Sequence, residues 1–171
     1  EAGVRRIPDG RYSFTDVMDS DGHAAADCAI KVAITVADAA VQVDFTGTSS
    51  AVPGNINCPL SVTAAGVFYV IRCLLPPETP ACAGAFDVVT IQATPGCLVH
   101  AQRPAATAAG NVETSMRIVD CMLGALAEAL PNEIPAASQG TMNNVAMGQV
   151  GHWDYYETLG VDRGAGEDEL K

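Results

Sequence analysis

The chain has 171 residues, 49% of them hydrophobic, a formal net charge of −11 and a sequence pI near 4.4. That length suits one domain with its own core and is short for two. The acidity, with only Lys31 and Lys171 as lysines and no basic cluster, argues against nucleic acid and against anionic membrane surfaces as partners.

No charged segment leads an apolar run at the start, where Glu1 opens the sequence. The longest apolar run, around residues 62–70, is too short and too interrupted to span a bilayer. The expected location is the cytoplasm. Six cysteines, at 28, 58, 73, 82, 97 and 121, form no CxxC pair, which argues against structural zinc, and without a secretory signal they read as reduced thiols, mostly buried. Cys97 and His100 are three apart, but no second pair of ligands stands nearby, and no metal site is assigned.

Ile7-Pro8-Asp9-Gly10 is a turn. Residues 11–17 alternate as a half-buried strand does, with Tyr12, Phe14 and Val17 expected on one face. Asp19-Ser20-Asp21-Gly22 reads as an acidic turn; it lacks the later ligands of a calcium loop. Residues 30–36 and 41–45 alternate again, with Asp38 near the turn between them, and predict a hairpin. The second strand runs into Asp44-Phe45-Thr46-Gly47-Thr48-Ser49-Ser50. This is a Gly/Ser turn on the plain reading, and a carrier of hydroxyls and a carboxylate on the functional one. It is no phosphate loop, since the glycine spacing and the lysine are missing. Cys58 has no local base and reads as a small packing residue.

Ser61 is positioned to cap a helix to about Leu75, apolar on more than one side and ended by Pro76-Pro77. A loop follows, then a strand over 87–93, the turn Thr94-Pro95-Gly96, and a short strand over 98–100.

The centre of the chain is a helix over 111–130. Asn111 is its expected N-cap, Glu113 sits in the first turn, and Pro131 stops it. Val112, Met116, Val119, Leu123, Leu126 and Leu130 form the expected apolar stripe, with Glu113, Arg117, Asp120 and Glu128 largely off it. Glu113 and Arg117 are spaced for a helical ion pair. A small-residue approach ending in Gly110 precedes the helix, and Thr141, Asn143 and Asn144 follow it. A capped core helix with an Asn/Gly turn explains these flanks. So does a polar site, because open N–H groups and paired amides can hold an anion or a polar ring. Residues 144–150 read as another strand, and His152 to Thr158 gather aromatics around Glu157.

Four blocks resemble the hydantoinase B/oxoprolinase family: VDFTGTSSAVPGNINCP, PAATAAGNVETSMRIVDCMLGALAEALP, AASQGTMNNVAMG and YYET. Their order and separations match as well, from about Val4 to about Thr158. The resemblance implies part of a B-type large subunit of ATP-dependent cyclic-amide hydrolases, related to the acetone carboxylase alpha subunit. A hydantoinase A-type ATPase partner would carry the nucleotide and activate the amide, and the remainder of the B-type subunit would complete the protein. ATP and a divalent metal belong to the complete complex, with no cofactor bound by this chain. An ATP-dependent ketone carboxylase and a scaffold domain for the ATPase are the other readings, and the isolated chain is expected to be inactive.

Carried onto this sequence, the candidate catalytic residues are Asp44 and Glu157. The candidate substrate-binding residues are Thr46, Gly47, Asn57, Gly110, Asn111, Glu113, Thr141, Asn143 and Asn144. The chain departs from the family near Ala81-Cys82 and over an acidic tail, residues 159–171. The expected fold is a single α+β domain, a mixed sheet with hairpins and two packed helices, forming part of a larger subunit.

Overall fold

A computed structural model describes residues 4–80 and 82–138. They belong to a compact unit, residues 1–141; the second unit, Met142–Lys171, lies outside the described residues, as does the strand expected over 144–150.

The architecture is α+β, as the pattern of elements predicts. Strands β1 (Gly10–Ser20), β2 (Ala26–Ala37), β3 (Ala40–Asp44) and β4 (Val89–Gln92) form one sheet in the order β1-β2-β3-β4. The first three are antiparallel neighbours, and β4 joins β3 in parallel, Val41 opposite Val89 through Asp44 opposite Gln92. A parallel pair needs a crossover, and α1 (Leu60–Leu74) lies within it.

Strict alternation makes β2 the spine of the sheet. Cys28, Ile30, Val32, Ile34 and Val36 are all buried on one face. Across from them on β1 stand Met18, Asp16, Phe14, Tyr12 and Gly10. Val17 is therefore on the opposite face from Tyr12 and Phe14, and is exposed. Period 2 forces this: an odd position cannot share a face with even ones. The β2–β3 turn, Asp38-Ala39, has φ of +50° and +64°, the primed geometry that matches strand twist.

Helix α2 (Ser115–Leu126) packs on β1 and β2, and α1 packs on α2. Gly66 marks that crossing. A Cβ there would stand 3.3 Å from Ile118 Cγ2, so the helices are close. The expected caps are replaced. α1 starts after Pro59, with no side-chain cap from Ser61. Ahead of α2 the chain makes a wide, π-type turn, Gly110–Thr114, whose preceding residue is Ala109. Asn111 is thus inside the first turn and exposed, not its cap. The Thr114 hydroxyl donates to the Ile56 carbonyl and fastens this turn to the loop before α1. After Leu126 the chain continues in turns to Leu130.

The buried side of α2 is Ile118, Asp120, Cys121, Met122, Ala125 and Leu126. Met116, Val119 and Leu123 of the expected stripe are half-buried and face a cleft instead. The helix is apolar over most of its circumference, so periodicity alone could not choose between these faces. Residues 98–100 form no separate strand. Cys97 makes one bridge to Ser50, while Leu98 bonds Ser49 and Cys58 through its backbone. The described cysteines are free thiols: Cys28, Cys58, Cys97 and Cys121 buried, Cys73 and Cys82 exposed. No described helix is long and apolar enough to cross a membrane.

Candidate functional site

The loops between β3 and α1 are organised by three close contacts. Asn57 is fully buried. Its Oδ1 accepts from the Val52 N–H at 2.7 Å, and its Nδ2 donates to the carbonyls of Val52, Gly54 and Ala106 at 2.8–2.9 Å. One side chain thus partners four backbone groups of two loops. Gly110 presses on the same place, since a Cβ there would overlap the Asn57 carbonyl oxygen. On the other side Gly54 lies against Asp21, whose Oδ2 accepts from the Gly54 N–H at 2.8 Å.

Asp21 is the residue that the sequence treated as part of a plain turn. It is buried, and its Oδ1 accepts from the N–H groups of His23 and Ala25 at 2.8 and 3.0 Å. Burial pushes its pKa up, but the backbone N–H groups of Gly54, His23, Ala25 and Ala24 outweigh it and hold the carboxyl below its ordinary 3.8. A carboxyl lowered on folding stabilises the fold above its unfolded pKa, and this contribution is lost as pH falls through the folded value. We therefore expect Asp21→Asn to melt below the wild type at about pH 6, with the gap closing as pH falls below the ordinary carboxyl value and through the lowered folded one. Thermal unfolding of both proteins across that range checks this; a gap independent of pH would contradict it.

Among the described residues, two hollows lie beside α2. The larger, about 600 Å³, lies between α1, α2 and the segment 133–138. Its walls are mainly apolar, with Asn111, Ser115, Asp120, Glu133 and Ser138 among the polar lining. The smaller, about 480 Å³, lies beside β1 and is lined by Glu113, Arg117, Asp19 and Ser20. Between them runs an ionic connection. Arg117 Nη1 is 2.7 Å from Asp16 Oδ2 and 3.8 Å from Asp120 Oδ2. Burial would lower the Arg117 pKa, but its bond to Asp16 and the fields of Asp16 and Asp120 raise it, so the guanidinium stays charged. The Ser138 hydroxyl donates to Asp120 at 3.1–3.3 Å.

The expected site residues separate accordingly. Asn111 lines the larger hollow and Glu113 the smaller. Gly110 and Asn57 lie beneath the approach to α2 as its support. Asp44 accepts from the Thr46 N–H at 2.8 Å and Gly47 takes φ +90°, so Asp44, Thr46 and Gly47 form a tight turn that lines neither hollow. Glu157, Thr141, Asn143 and Asn144 lie outside the described residues. Asp120 was missed. Its position among charged residues on the helix gave no sign of burial, although it is 7% exposed.

Cys58 and Cys121 carry no activation. Burial pushes Cys58 up, only partly offset by the Thr63 hydroxyl, and burial takes Cys121 to about 12. His100 Nδ1 lies 2.9 Å from the Ala93 carbonyl. Among the described residues no three His, Cys, Asp or Glu side chains converge as a metal site would require.

A sequence profile of the hydantoinase B/oxoprolinase family matches residues 1–169. The chain belongs to the hydantoinase B/oxoprolinase family. 5-Oxoprolinase 1 of Arabidopsis thaliana is 39% identical over 137 residues, which are 80% of this chain and 10% of that protein. The crystal structure of the ATP-dependent caprolactamase from Pseudomonas jessenii superposes with a TM-score of 0.69 at 25% identity, covering 77% of this chain and 23% of that one. Nucleotide-free acetone carboxylase shares the fold, with a TM-score of 0.65 at 15% identity over 78% of this chain and 20% of its own. This hydantoinase B-type chain therefore spans a tenth to about a quarter of these relatives.

Proposed function

We propose that this chain is part of the B-type subunit of an ATP-dependent cyclic-amide hydrolase. A partner ATPase of the hydantoinase A type activates the amide, and the B-type subunit completes ring opening. The observation that supports this is the family match across residues 1–169, together with likeness to an ATP-dependent caprolactamase.

The chemistry requires two things of the B-type subunit. An amide carbonyl is a poor electrophile until its oxygen is phosphorylated, so the activated ring must be held in place while bulk water is excluded. The larger hollow offers apolar walls for a ring and a small set of polar groups, the usual composition of a small-molecule site. Asn111 at its edge can donate to an oxyanion or a carbonyl. Glu157 remains a proposed base, with Thr141, Asn143 and Asn144 contributing to binding in the complete subunit. Asp44, also a proposed base, lies with Thr46 and Gly47 in a turn that lines neither hollow, and these three would act at a part of the site that the rest of the subunit completes. ATP and a divalent metal belong to that complex. Among the described residues no cluster of His, Cys, Asp or Glu fits that metal.

The test is a substrate panel on the complete complex, full-length B-type subunit plus ATPase partner. We expect ATP-dependent opening of at least one cyclic amide, read as phosphate release matched by ring-opened product. Carboxylation of a ketone with bicarbonate, and no amide turnover, would move the assignment to a carboxylase. Stable binding of the ATPase with neither activity would leave a scaffold.

A further inference from the structure

The larger hollow carries two carboxylates among its mostly apolar walls: Glu133 is exposed and paired with Arg6 at 2.8 Å, whereas Asp120 is buried. Val70, Val119, Leu123 and Ile134 line it, yet the Asp120 carboxylate also opens there, 7% exposed. Its charge is only partly matched. Arg117 sits between two carboxylates, closer to Asp16 at 2.7 Å than to Asp120 at 3.8 Å. One guanidinium and two carboxylates leave the trio with a net negative charge. Among the described residues, the remaining donors to Asp120 are the Ser138 hydroxyl at 3.1–3.3 Å and the Ser138 N–H at 3.5 Å, the latter at the limit of a hydrogen bond.

An ionised carboxylate has about four acceptor positions and no donor. Beside an apolar wall, an unfilled acceptor is costly, and an N–H donor on a ligand relieves that cost. The ligand that suits both features carries one N–H beside a hydrocarbon surface. A cyclic amide is such a molecule. Ring closure holds its amide cis, so N–H and C=O lie on one edge and the methylenes on the other.

We propose that Asp120 accepts a hydrogen bond from the ring N–H of the cyclic amide in this hollow, and so selects amides unsubstituted at nitrogen. This rests on the function proposed above. Asp120 is here a specificity-determining residue, while Arg117, held by Asp16, and Ser138 fix the direction of its carboxylate. Asn111 and Ser115 line the same hollow and are free in type to face the carbonyl edge of the ring.

The experiment is calorimetric binding to the complete complex without ATP, using a lactam and its N-methyl counterpart, so that the activation step does not enter. The wild type should prefer the N–H ligand by about 10- to 100-fold. Asp120→Asn, which keeps the shape but lacks the charge, should reduce that preference to within a few-fold. Asp120→Glu keeps an anionic acceptor and should retain the preference at altered affinity, and it is the variant to use should Asp120→Asn fail to fold. A purely structural role would weaken both ligands equally and leave the preference intact, which would overturn the proposal. Equal binding of the two ligands by the wild type would also overturn it. Ring opening that persists alongside either result would sink this inference alone. Absence of both lactam binding and ring opening would sink it together with the function it rests on.

Discussion

Asn57→Ala should lower stability by about 3 kcal/mol or more, and the melting temperature by about 10 °C. The side chain makes four hydrogen bonds in a fully buried position, one accepted from Val52 N–H and three donated to Val52, Gly54 and Ala106 carbonyls. Its two amide hydrogens are shared among three acceptors, and truncation strands all of them. A buried polar group left without a partner costs about 1–3 kcal/mol. Water entering the void would recover part of this, which is why the expected loss is below a simple sum. Asn57→Asp should be at least as severe, because a carboxylate can only accept and would face three carbonyl oxygens. Thermal unfolding of the two variants against the wild type is the measurement. A loss under about 0.5 kcal/mol, the range of ordinary surface changes, would mean that the loops are held by something else.

Gly110→Ala should cost about 3 kcal/mol or more for a different reason. The new methyl would overlap the Asn57 carbonyl oxygen and crowd the Cys58 Cα, 3.1 Å away. Both obstacles are backbone, so no rotamer change relieves them. The chain on the far side is fixed as well: the Cys58 N–H donates to Leu98 at 2.7 Å, and α1 begins just after Pro59. Relief would require moving the start of α1 or the wide turn before α2, and the latter would pull Thr114 from Ile56. Gly84→Ala is the matching control. Its added methyl meets only Asp87 Oδ2 at 3.8 Å, and the change should stay within about 0.5 kcal/mol. If Gly110→Ala and Gly84→Ala unfold at the same temperature, the close approach at Gly110 is not a constraint on the fold.

Both results would bear on function through position. The wide turn Gly110–Thr114 sets where Asn111 and Glu113 emerge, one into each hollow beside α2. Asn57 and Gly110 hold that turn without facing either hollow. Their variants are therefore expected to affect ligand binding only through a shift of the turn.

Much was legible in the sequence because the signals were local. Alternation in β2 and β3 fixed a hairpin, and period 2 fixed which residues of β2 are buried. The Pro76-Pro77 pair ended α1, and the four sequence blocks identified the family. Other features were decided by tertiary structure, because each depends on what lies opposite. α2 carries apolar residues around most of its surface, so only the sheet and α1 could determine that Ile118 and Met122 are core while Met116 and Leu123 face a hollow. Asn57 read as a ligand-binding amide, and its role as a clamp appears only when Val52, Gly54 and Ala106 converge on it. Asp21 looked like any turn residue until Gly54, distant in sequence, came against it. Asp120 looked like a solvated helix charge, and burial between Arg117, Ser138 and an apolar wall made it a candidate for recognition. A side chain's chemistry is written in the sequence, but its partners come from distant parts of the chain, and the partners determine whether it supports the fold or meets a ligand.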